Sequence, residues 1–560
     1  MGRHNLNVLI GGEAGQGLVT IAMILTKALV RSGYFIVVTQ SYQSRIRGGH
    51  NTFAIRVNTQ EITASQEKID LLVALNEETA DLHRQELSSD GLVLLDEQFG
   101  DGQDQALKVP FQQFSEEKFV NVAYLGVLSN LLGLDEEIVF QALEDYFGAK
   151  KPELTENNRT IFAKAFAWAE TRHLPEADKL APPPDRQSRL LLNGNEGIAL
   201  GAIAGGIKFC AFYPMTPSTS IPLTLQSAAD PMGLVVEQAE DEIAAINMAI
   251  GASYAGAPAM VATSGGGFAL MVEGVSLAAM TETPVFIVVA QRPGPATGLP
   301  TRTEQGDLEL VLHAGHGEFP RAILAPGSVE ECFHLTRQAL LLAEKYQSPI
   351  FLLTDQFLAD SYRAVTPFAL DSVAPVTAGS VPTDLPLPYQ RYALTESGIS
   401  PRLLPGLSEH LVVCDSDEHT SDGHITEDLA VRQQMVQKRL RKLGGLRGEV
   451  AAPAYLGPTN PDLLLVTWGS NQGAVLEAAA TLREQGKQVS TLIFSQVWPL
   501  VPEQFLNILQ AAQQVVMIEG NSTGQMARLI RRETGFHFPK LILRYDGLPI
   551  TPEYILAQLA

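Results

Sequence analysis

The sequence predicts an α/β chain made of three parallel-sheet domains, and three observations carry that reading. Its 560 residues exceed the roughly 250–300 at which one hydrophobic core stops growing, so about three or four domains are expected. With 45% hydrophobic and 18% charged residues, the composition is that of a globular chain rather than a disordered one. Apolar β-rich runs also alternate with longer stretches of helical period, as in residues 6–10, 18–30 and 35–39, the rhythm of βαβ units.

Taken in order, residues 1–180 form the first such block. The segment 177–189 (ADKLAPPPDRQSR) joins three prolines to charges without apolar periodicity and reads as an extended, exposed linker. A second block, 190–375, carries strand-like runs at 259–263, 285–290 and 350–354. From 376 to 455 the chain is punctuated by proline and then charged (VRQQMVQKRLRKL), a connector bearing a polar helix. Residues 456–560 resume the pattern, with strands at 463–467, 489–493 and 515–519 and a helix at 474–485.

Charge and cysteine content exclude several functions. A net charge of −22 disfavours nucleic acid as a partner. Cys210, Cys332 and Cys414 lie far apart, so this chain alone holds neither a disulfide framework nor an iron–sulfur cluster, and a reducing, cytoplasmic setting is expected. No run of 18 apolar residues occurs, and neither a signal peptide nor a membrane span is expected.

Gly11, Gly12, Gly15 and Gly17 follow the first strand and open the first helix, where bare N–H groups suit an anion such as a phosphate. The spacing is not G-x-G-x-x-G and no acid follows the second strand, which disfavours a nicotinamide dinucleotide. A tight turn needing small residues explains the same glycines. Arg45, Arg47 and His50 in SYQSRIRGGHN form a second candidate phosphate grip, or a solvated basic loop.

FYPMTPSTSIP presents Thr216, Ser218 and Thr219 just beyond a strand, at the sheet edge where α/β sites lie, although a strand-to-helix turn with hydroxyl caps reads the same way. Glu237, Glu240, Asp241 and Glu242 precede IAAINMAIGASYAG, an Ala/Gly helix that must pack closely. Acids there are dipole complements, unless one is buried and needs a specific hydrogen-bonding partner. TSGGGFALM repeats the strand, glycine turn, helix order, and VAQRPGPATGLPTRTEQGD supplies Arg292 and Arg302 for a carboxylate or for loop salt bridges. DSDEHTSDGHITED gathers His419, His424 and several acids without EF-hand spacing, so a solvated loop is favoured over a metal site. The GDG at 100–102 lacks the paired asparagines of a thiamine-diphosphate magnesium motif.

Together these motifs resemble the 2-oxoacid:ferredoxin oxidoreductases, specifically the fused chain in which a gamma-type domain precedes the alpha-type domains. GGEAGQG with SRIRGGH is similar to the Rossmann-like gamma-type domain. YPMTPST, EDEIAAINMAIGASYAG and ATSGGGFALM are similar to the thiamine-diphosphate pyrimidine-binding domain. TWGSNQGAVLEA, VWPLVPE and VMIEGNSTGQ are similar to the transketolase C-terminal-like domain. The family usually has Ile where this chain has Met215, an apolar change of similar volume.

The resemblance implies coenzyme A-dependent oxidative decarboxylation of 2-oxoglutarate to succinyl-CoA and CO₂, reversibly, with ferredoxin as electron acceptor. Pyruvate or a branched-chain 2-oxoacid is the alternative substrate. It implies thiamine diphosphate shared with a beta subunit that supplies Mg²⁺ and a [4Fe–4S] cluster, in an assembly of two copies of each chain. It also implies that Glu242 hydrogen-bonds the aminopyrimidine ring, that Thr216 bonds the substrate and that Arg292 pairs with its 1-carboxylate. Tyr213 and Pro214 would lie beside the cofactor, and Arg302 would serve a second carboxylate. Gly12, Gly15, Gly17 and Arg47 would contribute to docking coenzyme A, and no metal ligand is assigned to this chain. A self-sufficient thiamine enzyme and a non-catalytic subunit of the same fold are the competing readings.

Overall fold

A computed structural model of the chain describes residues 2–42, 49–99, 106–116, 119–147, 152–172, 179–370, 385 and 388–560. The chain divides into two compact units, Met1–Leu192 with Asp360–Pro367 and Thr551–Ala557, and Asn193–Ala359 with Phe368–Ile550 and Gln558–Ala560. Three sheets, of eight, seven and five strands, form the α/β framework.

The eight-stranded sheet lies in the first unit. Half of it matches the βαβ expectation, because Asn5–Glu13, Ile69–Ala74, Leu87–Asp96 and Ala106–Val109 run parallel. The other half does not. His50–Asn58 inserts antiparallel between Asn5–Glu13 and Phe35–Ser41, so the first two strands share a direction without touching. Tyr362–Val365 and Leu190–Leu192 extend the sheet antiparallel. The 14-residue helix Leu18–Arg31 buries Ile21, Leu25, Ala28 and Leu29. Of the segment read as a free linker, residues 179–189 are extended but docked on this unit: Leu180 and Ala181 are buried, and Arg189 donates to the Gly33 carbonyl and stacks on Phe35.

In the second unit the seven-stranded sheet runs, in spatial order, Gln496–Trp498, Ala322–Leu324, Pro349–Asp355, Val285–Gln291, Ala259–Thr263, Phe209–Phe212 and Val235–Gln238. All pairings but the first are parallel. Its central strands are buried along their whole length, as strands covered on both faces must be. The five-stranded sheet (Ala454–Leu456, Val489–Phe494, Leu463–Trp468, Gln514–Glu519, Lys540–Leu543) shares a core with it, in which Val261, Ile287 and Phe351 cluster with Trp468, Phe494 and Met517.

Chain order within the seven-stranded sheet sets up a crevice. From Phe209–Phe212 the chain steps to the edge strand Val235–Gln238 and returns through the helix Glu242–Tyr254 to Ala259–Thr263. It then continues the opposite way to Val285–Gln291. The connections leaving Phe209–Phe212 and Ala259–Thr263 therefore diverge, and ligands of open parallel sheets bind at such a switch point.

The connector does carry a polar helix, Leu429–Gly448, but only part of its charge is solvated: Arg432, Arg441 and Arg447 are exposed, whereas Lys438, Arg439 and Lys442 are buried. Lys438 reaches the Glu282 carboxylate at 2.7 Å and Lys442 at 2.5 Å, while Arg391 donates to the Glu282 carbonyl at 2.7 Å. The acidic loop before that helix is held down as well. Glu418 pairs with Arg439 at 2.9 Å and Arg432 at 2.7 Å, and His419 stacks on Tyr392 while donating to the Asp417 carbonyl. Among the described residues, no three His, Cys, Asp or Glu side chains converge as a metal set. Among them also, no helix is long and apolar enough to cross a membrane.

Candidate active site

Four loops meet at the carboxyl edge of the seven-stranded sheet. The first, after Phe209–Phe212, is YPMTPST. Ser218 donates through both N–H and Oγ to the Met215 carbonyl. The fully buried Asn195 donates from Nδ2 to the Pro217 carbonyl at 2.8 Å and to Ser220 Oγ at 2.7 Å. These bonds fix a turn that leaves Tyr213 and Pro214 exposed and Thr216 half-buried.

The four acids lie around the second loop, Glu237 in the strand Val235–Gln238, Glu240 and Asp241 in the loop and Glu242 at the start of the helix that follows. Glu237, Glu240 and Asp241 are exposed, and Asp241 is used as the helix cap, accepting from the Ala244 N–H at 2.7 Å. Glu242 alone is buried, at 5% exposure, and its carboxylate has no hydrogen-bond partner among the described residues.

The third loop explains that burial. Ser264 precedes the helix Gly265–Met280, whose first turn is Gly265, Gly266 and Gly267. A Cβ at Gly267 would stand 2.7 Å from Glu242 Oε1, and one at Gly265 would stand 2.6 Å from the Asp307 Cγ. Carboxyl groups thus occupy the space that side chains at these positions would need. Ser264 Oγ is buried without a partner among the described residues.

The fourth loop, after Val285–Gln291, brings Arg292, whose Nη1 donates to the Thr216 carbonyl at 2.7 Å. Partial burial pulls the guanidinium below its ordinary value, and the Asp307 carboxylate opposes that shift. Asp307 itself is pushed up to about 6 by burial and by Glu304, against the pull of Arg292. Arg302 lies further along, packed beneath Gly547. Gln305 anchors the loop to the smaller sheet, donating to the Trp468 carbonyl at 3.0 Å and accepting from Asn471 Nδ2 at 2.6 Å.

The structure thus joins Thr216 to Arg292 and sets Glu242 against the glycine turn of the same sheet edge. The glycines Gly12, Gly15 and Gly17 belong to the first unit. There Gly15 and Gly17 line a cavity of about 780 Å³ with Gln16, Asp96, Asn121 and Tyr124, and Gly15 has a positive φ of 104°. Gly11 and Gly12 lie within the strand Asn5–Glu13 rather than after it, Gly12 packs against Gln16, and Gly17 is backed by Asn121 at the cavity wall. Arg45, Arg47 and the GDG at 100–102 lie outside the described residues. His50 is turned to a neighbour, its Nε2 lying 2.8 Å from Nε2 of His83. Sequence reasoning missed Asn195 and Asp307, although Asp307 closes the RPGPATGLPTRTEQGD segment it singled out.

The residues present fit a thiamine-type coenzyme because of Glu242: a nearly buried carboxylate at the carboxyl edge of the sheet, without a hydrogen-bond partner among the described residues, calls for a donor from outside them. Two family models match. Residues 200–438 match "Pyruvate flavodoxin/ferredoxin oxidoreductase, thiamine diP-bdg" and residues 7–168 match "Pyruvate ferredoxin/flavodoxin oxidoreductase". Fold and site therefore define a thiamine diphosphate-binding oxidoreductase chain.

A subunit alpha of 2-oxoacid:ferredoxin oxidoreductase from a Sulfolobus species is 31% identical, the alignment covering 97% of this chain and 95% of that one. The 2-oxoglutarate oxidoreductase subunit KorA of Mycobacterium tuberculosis is 27% identical over 94% of this chain and 87% of its own. The 2-oxoglutarate:ferredoxin oxidoreductase of Magnetococcus marinus, solved with 2-oxoglutarate, coenzyme A and succinyl-CoA bound, superposes with a TM-score of 0.93. It is 31% identical, covering 100% of this chain and 99% of that one. The chain belongs to the 2-oxoacid:ferredoxin oxidoreductases, as an alpha subunit of a multi-subunit enzyme.

Proposed function

We propose that this chain forms the pyrimidine side of a shared thiamine diphosphate site in a cytoplasmic 2-oxoglutarate:ferredoxin oxidoreductase. The observation that carries it is the buried Glu242 carboxylate without a hydrogen-bond partner among the described residues. The net reaction converts 2-oxoglutarate, coenzyme A and two oxidised ferredoxins to succinyl-CoA, CO₂, two reduced ferredoxins and a proton. Bound thiamine diphosphate supplies the carbanion chemistry that breaks the bond between the carbonyl and carboxylate carbons.

Glu242 accepts a hydrogen bond from a pyrimidine ring N–H, in a wall whose helix is mostly Ala, Gly and Ile and admits little water. Arg292 receives the 1-carboxylate, already oriented by its bond to the Thr216 carbonyl, and the Thr216 hydroxyl donates to the same substrate. Tyr213 and Pro214 flank the cofactor from the exposed side of the turn. A beta subunit supplies the diphosphate and Mg²⁺ grip and the [4Fe–4S] cluster. Its docking is supported by the apolar side chains Ile243, Met248 and Leu270, left exposed on the two helices that frame Glu242. We assign two copies of each chain to the assembly. Coenzyme A docks in the first unit, where Gly12, Gly15 and Gly17 are assigned to its phosphates beside the open cavity at Gly15. Arg47, outside the described residues, is assigned to the same phosphates by its charge alone.

The two family descriptions name pyruvate, which makes it the competing substrate. Co-purification with the beta partner, followed by viologen reduction with coenzyme A on a panel of 2-oxoacids, separates them. A kcat/KM at least tenfold higher for 2-oxoglutarate is expected. Equal rates on pyruvate would remove the substrate assignment, and activity of this chain alone would remove the shared site.

A further inference from the structure

Asp307 stands where the substrate-binding elements converge without taking part in any hydrogen bond through its side chain. It precedes the helix Leu308–His313, and its backbone N–H donates to Gln291 Oε1 at 2.9 Å, which fixes the residue immediately beside Arg292 in the sheet edge. Its carboxyl fills the space over Gly265, in the same glycine turn that receives Glu242 two residues further on. Oδ2 is sealed from solvent, and neither carboxyl oxygen has a hydrogen-bond partner among the described residues. A sealed acceptor with no donor is costly, and a fold retains one where its charge serves a neighbour.

That neighbour is Arg292, whose guanidinium interacts with Asp307 electrostatically while its orientation comes from the Thr216 carbonyl. We infer that Asp307 is a positioning residue whose charge sets how strongly Arg292 holds a 2-oxoacid carboxylate. The inference rests on the reading of Arg292 as the carboxylate-binding cation. Ionised, Asp307 offsets the guanidinium and repels an incoming carboxylate. Protonated, it leaves the full cationic field facing the substrate.

The other charged groups around it are Glu304 on its own loop and Glu309 on the following helix, the latter turned to Arg528 at 3.3 Å. The Gly265 turn packed against it carries no charge of its own, and the Glu242 carboxylate lies at Gly267 of the same turn. Asp307 titrates at about 6, between the 2-oxoacid carboxylates, which stay ionised, and Arg292, which stays charged. Affinity for substrate therefore falls as pH rises through that value.

The test is the pH dependence of KM and kcat for 2-oxoglutarate from pH 5.5 to 8, in the complex reconstituted with its beta subunit. Wild type is expected to show KM rising about threefold or more with an inflection near pH 6, an effect of the size a partly screened charge exerts on a neighbouring one. Asp307→Asn keeps the low KM throughout, with the change falling on KM more than on kcat, and Glu304→Gln moves the inflection to lower pH. Arg292→Met raises KM at every pH.

If Arg292→Met raises KM while Asp307→Asn keeps the wild-type inflection, the role of Asp307 is overturned and that of Arg292 stands. If Arg292→Met leaves KM unchanged, the reading of Arg292 falls and the inference with it. Should Asp307→Asn fail to assemble, wild type against Glu304→Gln decides: an inflection that moves down supports the inference, and a flat or unmoved profile overturns it.

Discussion

The two ends of the helix Gly265–Met280 treat buried carboxylates in opposite ways. At its start, Glu242 and Asp307 lie against glycines with no hydrogen-bond donor from the described chain. Just past its end, Glu282 is fully buried yet receives Lys438 and Lys442, while Arg391 satisfies its carbonyl. Because an unpaired buried charge costs several kcal/mol, a chain that keeps one without a hydrogen-bond donor calls for another role for it, a donor from outside for Glu242 and an effect on Arg292 for Asp307. The matched end is framework, and the unmatched end is the one that the proposed function assigns to a ligand.

The largest effect should come from Glu242→Gln. With the carboxylate gone, turnover of the reconstituted complex should fall by about 10²–10⁴, the usual contribution of a positioned acid–base group. The thermal midpoint should stay level or rise, because the side chain makes no hydrogen bond to the described residues. Unchanged turnover would support the non-catalytic alternative, and a large loss of stability would show that Glu242 belongs with Glu282 as framework.

Glu282→Gln should give the reverse pattern. It strands two buried ammonium groups, so denaturant unfolding should show a loss of about 3–5 kcal/mol. Adding Lys438→Met and Lys442→Met should recover most of that loss, since an apolar replacement of the whole cluster removes the unpaired charges.

The same cluster predicts an acid response. Desolvation pushes Glu282 up, but Lys442, Lys438 and Arg391 together hold it at about 2, below its ordinary 4.5. A folded pKa below the unfolded one contributes stability that is complete above pH 4.5 and drains away as pH falls toward 2. In Glu282→Gln this part of the acid transition should be absent when stability is followed between pH 6 and 2. Equal slopes for both proteins would place the acid-sensitive carboxylates elsewhere.

These two ends were unequally legible in the sequence. The parallel sheets, the glycine turns and the acid cluster before an Ala/Gly helix follow from local patterning. Among the four acids, though, only resemblance singled out Glu242, and its burial depends on Gly267. The partners of Glu282 are 156 residues away at Lys438, so VRQQMVQKRLRKL reads as a solvated helix until the fold brings the acid to it. Asp307 was hidden for the same reason, since the glycine it covers lies on a separate strand-to-helix turn. In the first sheet, side-chain alternation is blind to strand direction, which is why the antiparallel insertion of His50–Asn58 escaped a reading built on βαβ rhythm.

The smallest and sharpest test lies within the glycine run itself. A Cβ at Gly267 would stand 2.7 Å from Glu242 Oε1 and crowd the buried Thr263 hydroxyl, so Gly267→Ala must push the carboxylate from its place. Overpacking of this kind costs about 1–3 kcal/mol, and the displaced acid should lower turnover as well. At Gly266 the nearest atom to a new Cβ is the Ala296 carbonyl oxygen, 3.6 Å away, an ordinary contact. Gly266→Ala should therefore leave the thermal midpoint of the purified chain unchanged or raise it, since alanine is favoured over glycine inside a helix by about 0.5–1 kcal/mol. Two identical substitutions, one residue apart, thus separate backbone propensity from the space reserved for a carboxylate. If Gly267→Ala proved as benign as Gly266→Ala in both stability and turnover, that glycine would not be reserving room for Glu242, and the contrast between the two ends of the helix would lose its structural basis.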